Sequence, residues 1–259
     1  MLKLSVMGLK GGVGKTSVTL GLAAAATARG MATLVVDLDP QGNASSILAA
    51  TQTKVTVADV LAHPTRASLE SALSPCAWEI GPGEVDVLPA NPSLVAFDAY
   101  KPESFKPRFA KVVDYLEGYD LVLFDLPPSH GALVREALAV SDVAVVVTTP
   151  SYFGGQGVDR AVDTIREAQR TLNRQLQFGG IIVNRVRSVI DEHAYRQEEL
   201  AKVHGRRAIL QPAIPERAAM QQAESHGQPI STIATSGGRE IRDIFETHLN
   251  QLLKNAAKQ

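Results

Sequence analysis

Short, near-continuous runs of Val, Ile and Leu alternate along the chain with longer stretches whose apolar residues recur every three or four positions. The runs predict strands at Leu2–Met7, Thr33–Asp37, Val85–Leu88, Leu121–Asp125, Ala144–Thr148 and Gly180–Asn184. A strand apolar at every position is covered on both faces, as in a parallel sheet. The periodic stretches predict helices at Thr16–Ala28, Phe105–Glu117, Ala132–Ala139, Val158–Leu172 and Arg239–Ala256. The last of these sets Ile241, Phe245, Leu249, Leu252 and Leu253 on one face. Strand and helix in alternation make an α/β protein: a mostly parallel central sheet with helices on both faces.

One region breaks the rhythm. Thr51 to Pro107 holds seven of the fourteen prolines, Pro75, Pro82, Pro89, Pro92 and Pro102 among them. It reads as an excursion with short helices at Val57–Ala62 and Ser68–Leu73 and one or two strands. No repeat or low-complexity linker divides the chain, so residues 1–259 are read as a single domain.

The first strand runs into Gly8-Leu9-Lys10-Gly11-Gly12-Val13-Gly14-Lys15-Thr16-Ser17, and an Ala/Leu-rich helix follows. Strand, glycine loop and helix form a P-loop with a Walker A pattern from Gly8 to Thr16. Glycines let backbone N–H groups turn inward around phosphates where a Cβ would collide, and the helix N-terminus adds its unpaired donors. The binding set of the loop is Gly11, Gly12, Val13, Gly14, Lys15, Thr16 and Ser17. Lys15 reaches the β- and γ-phosphates of a nucleotide such as ATP, and the Thr16 hydroxyl can ligate Mg²⁺.

Three more strands end in polar residues, at the edge where parallel sheets bind ligands. The second gives Asp37-Leu38-Asp39-Pro40-Gln41-Gly42-Asn43, which by its residues alone fits a turn and helix cap as well as a ligand site. Leu121–Asp125 followed by Leu126-Pro127-Pro128-Ser129 makes a Walker B pattern, in which Asp125 would hold Mg²⁺ through its water shell. Asn184 offers a donor and an acceptor to a base edge.

Composition narrows the classes further. Hydrophobic residues at 45% exclude a disordered tail, and a single cysteine, Cys76, excludes a disulfide scaffold and fits a reducing cytoplasm. With 26 Lys+Arg against 27 Asp+Glu the net charge is −1, so any nucleic-acid contact must come from a local patch. No apolar run reaches the roughly 20 residues that cross a bilayer. The first strand starts at Leu2, so neither a signal peptide nor a DNA-reading module is expected ahead of it.

Lys10 adds a second lysine to the loop, giving Lys-Gly-Gly-Val-Gly-Lys-Thr. With Asp37-Leu38-Asp39-Pro40-Gln41-Gly42-Asn43, Asp125-Leu126-Pro127-Pro128-Ser129 and Ala223-Glu224-Ser225-His226-Gly227-Gln228-Pro229-Ile230, it resembles the deviant Walker A ATPases of the ParA/MinD family. The likeness covers essentially the whole chain and favours the Soj/ParA type without an N-terminal helix-turn-helix.

The resemblance implies a slow, partner-stimulated ATPase forming a nucleotide-sandwich homodimer, with Lys10 acting across the interface. It implies that Asp39 positions the attacking water, Asp37 supports Mg²⁺, Asn184 reads adenine and Pro215 lies along the base. It further implies a ParB-like adaptor, nonspecific DNA and a nucleoid-associated location. Candidate DNA contacts are Arg185, Arg187, Arg206, Arg207 and Arg217, in a stretch of seven basic residues against five acids. The chain departs from the family at Leu9, where a polar residue is usual, and after Ile214-Pro215. There Glu216 comes first, Arg217 is shifted by one place and Ala219 follows, where arginines often help bind DNA.

Alternatives are a nucleotide-gated positioning or regulatory scaffold without DNA segregation, and a membrane-bound MinD-like role. The terminal helix lacks the aromatic anchors and dense basic face the latter needs. Metal-cluster carriers of the same box need more thiolates than Cys76 supplies. The tyrosine-kinase branch ends in a tyrosine cluster, whereas no tyrosine follows Tyr195.

Overall fold

The computed structural model describes residues 1–48, 54–78, 81–99, 101 and 104–257, apart from the side chain of residue 153. Thr51 and Pro102 of the excursion lie outside them. Seven described strands form one sheet: β1 (Leu2–Met7), β2 (Thr33–Asp37), β3 (Ser74–Pro75), β4 (Val85–Leu88), β5 (Leu121–Asp125), β6 (Val143–Thr148) and β7 (Gln177–Val183). Their order is β3-β4-β2-β5-β1-β6-β7. Every neighbouring pair is parallel except β3 with β4.

The described α-helices are α1 (Lys15–Ala28), α2 (Asn43–Ile47), α3 (Val57–Ala62), α4 (Arg66–Ala72), α5 (Ala132–Val140), α6 (Tyr152–Thr171), α7 (Asp191–His204), α8 (Ala218–Ser225) and α9 (Ser236–Ala256). Alternate residues of each central strand feed two separate cores. Leu34, Val36, Val122 and Phe124 pack with residues of α3 to α6, while Leu4, Val6, Val35 and Leu123 pack with α1, α8 and α9. Helices on both faces explain why the strands read as unbroken apolar runs.

Helix α1 is Ala-rich because it is squeezed between the sheet and α9. At Gly21 an added Cβ would lie 2.2 Å from the Phe245 ring. Phe245, Ile241, Leu249 and Leu252 are the buried stripe of α9, and Leu253 packs at its margin. The stripe expected from sequence therefore faces protein. No helix among the described residues is long and apolar enough to cross a membrane.

The Phe105–Glu117 helix is not formed. Two 3-10 turns, Phe109–Lys111 and Val113–Tyr115, replace it. Their buried Phe109, Val112 and Leu116 mimic helical spacing, but Pro107 stands inside the window. The Glu136 carboxylate also accepts from the N–H groups of Arg108 (2.7 Å) and Phe109 (2.8 Å), fixing the backbone by a buried side chain. Helix α6 starts at Tyr152, ahead of the expected Val158, because the Ser151 hydroxyl caps Gly154 N and carries the helix through a glycine-rich first turn. Helices α7 and α8 carry no wide apolar face for periodicity to detect: α7 buries Leu200, and α8 buries Ala219 and Ala223.

In the excursion α3 spans its expected residues and α4 begins two residues early, each opened by a capping box, Thr56 with Asp59 and Thr65 with Ser68.

Candidate functional site

Because β1, β2, β5 and β7 run the same way, their carboxyl ends meet along one edge. The winding reverses at β1, whose neighbours are β5 and β6, and this opens a crevice there. In register, Val6 pairs with Asp125, and Asp37 with Asp125, so loop and carboxylates are neighbours by construction.

The glycine loop leaves β1 and turns into α1 at Gly14, whose φ of 89° is left-handed. A cavity of about 420 Å³ lies over it, lined among others by Gly12, Lys15, Thr16, Asp39, Pro128 and Glu224. Lys15 is 7% exposed. Burial lowers its pKa, and the carboxylates of Asp125 and Asp39 oppose that shift. Lys10, in contrast, is exposed, as are Gly11 and Gly12.

Thr16 and Asp125 come together: the Thr16 hydroxyl donates to Asp125 Oδ2 at 2.7 Å, and Thr19 donates to Oδ1 at 3.1 Å. Asp125 is pushed up to about 7, first by burial and then by the neighbouring Asp37. Asp37 is raised to about 6, again mainly by burial. Asp125 and Asp37 lie buried behind the cavity that Lys15, Thr16 and Asp39 line, and this set is short of positive charge, which fits a divalent cation beside a polyphosphate. Asp37 has less freedom than Asp125. Its oxygens accept from Ser45 N (2.8 Å), Ser45 Oγ (2.7 Å) and Asp39 N (3.1 Å), so it ties together the turn that carries Asp39. Asp39 itself is 8% exposed and lines the cavity.

A smaller cleft continues from the cavity, lined by Ser17, Asn184, Arg185, Pro215, Glu216 and Glu224 among others. Pro215 is placed by Ile214 N donating to Val183 O (2.9 Å) and Val186 N donating to Ile214 O (3.0 Å). Asn184 Nδ2 donates to Val13 O at 2.9 Å, and its Oδ1 accepts from Arg185 N at 2.9 Å. One N–H and one lone pair of that amide remain for a ligand edge. Val13 itself is buried beneath the loop.

One neighbour has no role in the sequence-based site, and another, Arg185, stands in the crevice as well as among the candidate DNA contacts. The Ser17 hydroxyl donates to Glu224 Oε1, so a carboxylate stands where cavity and cleft meet. The signal was Glu224 itself, the acidic residue of the Ala223–Ile230 stretch already singled out in the sequence. Arg185 is the non-glycine residue with positive φ (58°) among those described, and it lines both spaces.

The five arginines do not form one free basic face. Arg187 is ion-paired with Glu216, Arg206 with Glu198 (2.7 Å) and Arg217 with Glu240 (2.8 Å). Arg185 belongs to the crevice, and Arg207 is exposed.

Comparison with known proteins agrees with this fold. Residues 1–178 match the family described as an AAA domain. The chromosome-partitioning ATPase Soj of Thermus thermophilus is 32% identical over 248 residues, covering 94% of each chain. The chromosome partitioning protein ParA of Caulobacter vibrioides is 30% identical over 241 residues, 88% of this chain and 85% of its own. Among solved structures, cobyrinic acid a,c-diamide synthase from Mycobacterium smegmatis, with bound ADP and magnesium, superposes with a TM-score of 0.73. It is 26% identical and covers 88% of this chain and 93% of that one.

Proposed function

The chain belongs to the ParA/MinD family of P-loop ATPases, and from that premise we propose a partition-type switch in which ATP joins two copies and hydrolysis releases them. It is an ATP hydrolase that works with Mg²⁺. The observation that carries the dimer is the contrast between the two loop lysines: Lys15 is buried against the carboxylates, while Lys10 is exposed on the same loop. An exposed lysine beside a phosphate cradle is placed to neutralise charge on a nucleotide held by a second copy.

In this reading the loop N–H groups and Lys15 hold the phosphates, while Asn184 and Pro215 hold the base. Thr16 and Asp125 would hold Mg²⁺, which supplies neutralisation of the developing phosphate charge. Asp39, fixed by the Asp37–Ser45 turn, orients water. The dimer would act on nonspecific DNA and answer to a ParB-like adaptor, with residues 1–259 working as one ATPase domain in the cytoplasm at the nucleoid.

The test is Lys10→Ala. Titration calorimetry with a non-hydrolysable ATP analogue and Mg²⁺ should show binding retained, while size-exclusion chromatography shows no nucleotide-dependent dimer. An unchanged shift to dimer would overturn the assignment of Lys10.

A further inference from the structure

With Arg187, Arg196, Arg206 and Arg217, four of the six arginines between 185 and 217, already held by carboxylates, the free positive charge of the surface has to be sought elsewhere. It gathers at the excursion. Lys101, Lys106, Arg108 and Lys111 line one cavity of about 430 Å³ between the first 3-10 turn (Pro92–Phe97) and α5. All four are exposed, and among the described residues none makes an ion pair.

The neighbouring described acids are turned to other uses. Glu136 accepts from Arg108 N and Phe109 N, and Asp98 Oδ1 accepts from Ser129 Oγ and Leu133 N, both at 3.3 Å. Residues 97–111 carry four cations against Asp98 and Glu103, the latter outside the described residues. That net of +2 equals the net of 185–217 in less than half the length. Arg108 is steadied by its guanidinium over the Phe97 ring, 5.3 Å from its centroid, and by donation to Leu61 O at 3.3 Å.

We propose that this cluster, not the arginine stretch, is the surface that holds the phosphate backbone of duplex DNA; the inference rests on the DNA-binding reading above. Three of the four cations are lysines, point charges that suit phosphate oxygens without reading bases, and lysine is depleted from protein–protein interfaces. The cluster also stands next to the nucleotide machinery. Pro128 lines the phosphate cavity, and the next residue, Ser129, bonds Asp98. Ala132 N then donates to Asp98 O at 3.1 Å, and Ala132 and Glu136 form a wall of the basic cavity. One short segment thus contacts both the ATP phosphates' place and the DNA surface, which makes DNA binding answer to nucleotide state.

The test uses fluorescence anisotropy with a labelled duplex of arbitrary sequence, a non-hydrolysable ATP analogue and Mg²⁺, over a range of salt. Lys101→Ala/Lys106→Ala/Lys111→Ala should lose roughly a hundredfold in affinity at about 0.1 M salt, and the slope of log K against log salt should shallow by about 3 per chain. Nucleotide affinity, read by calorimetry, should stay unchanged. Arg187→Ala/Arg206→Ala/Arg217→Ala should change DNA affinity less than about threefold, since those charges are already paired. Lys→Gln versions of the three lysines provide the same reading with the side-chain stems kept.

Equal DNA binding by wild type and lysine variants, or a larger loss from the arginine variant, would overturn the proposal while leaving DNA binding in place. A wild-type chain that binds no DNA with nucleotide would sink the DNA reading itself. Displacement of DNA by polyglutamate at equal charge would reassign the surface to an acidic protein and overturn it too.

Discussion

Replacing Gly14 by alanine tests whether the phosphate loop and the base cleft are one mechanical unit. Two costs follow from the structure. The φ of 89° is left-handed, which costs an alanine about 1–2 kcal/mol. The new Cβ would also sit 2.2 Å from Asn184 Nδ2. Asn184 must then give up its bond to Val13 O, leaving a buried carbonyl without that partner, for about another 1–2 kcal/mol. The sum is about 2–4 kcal/mol. Gly12→Ala is the matched control: φ is 76°, and nothing lies within 4 Å of where its new Cβ would stand, so only the conformational cost applies. Urea denaturation of the nucleotide-free chain should place Gly14→Ala below Gly12→Ala by about 1–2 kcal/mol. Adding Asn184→Ala to Gly14→Ala should cost less than the two changes apart, because the clash has been removed. Equal stability of the two glycine variants, or strict additivity of the double change, would refute the coupling.

Three further outcomes are expected. His248 is fully buried, donates from Nε2 to Pro212 O, and is held down to about 4 by burial. An unfolded His takes its proton near 6.5, so its contribution is present above that pH and is lost as pH falls toward 4. The stability difference between wild type and His248→Gln should shrink by about 3 kcal/mol from pH 7 to pH 4 in urea titrations. Asp125 has the opposite sign: its folded pKa is raised, so its contribution fades as pH rises through about 7. Asp125→Asn should raise the unfolding free energy of the nucleotide-free chain at pH 8 by roughly 1–4 kcal/mol, while Mg²⁺-dependent phosphate release falls by at least tenfold. Phe245→Ala should cost about 3–5 kcal/mol in the same denaturation assay, because Gly21 offers no side chain to fill the space.

The sheet was legible because strands covered on both faces leave nothing polar to interrupt them. The ends of β2 and β5, at Asp37 and Asp125, fall where the sequence puts them. The glycine loop and its flanking strand and helix were equally plain, since phosphate binding restricts residue type at fixed spacing. What stayed hidden depends on distant partners. The fate of Phe105–Glu117 turns on Glu136, a buried acceptor well downstream. Glu224 reaches Ser17 across the fold, and only tertiary structure makes that pair. The sequence sets seven basic residues against five acids between 185 and 217, but which acid takes which arginine, Glu216 with Arg187, Glu198 with Arg206 and Glu240 with Arg217, is fixed by tertiary contacts.

The parallel winding has a kinetic side. Leu2 pairs with Leu121, Leu4 with Val143 and Thr33 with Val85, so few strand contacts can form before distant parts of the chain have met. Closing such loops first, and collecting the pairing energy afterwards, makes folding slow and the last step collective. The crevice is built from the ends of β1, β2, β5 and β7 together, so a partly folded chain has no version of it. Nucleotide would therefore bind only chains that have completed the sheet, stabilising them by about 2.7 kcal/mol at a hundred times its dissociation constant. Protection from proteolysis by ATP would then measure how much of the population has finished folding.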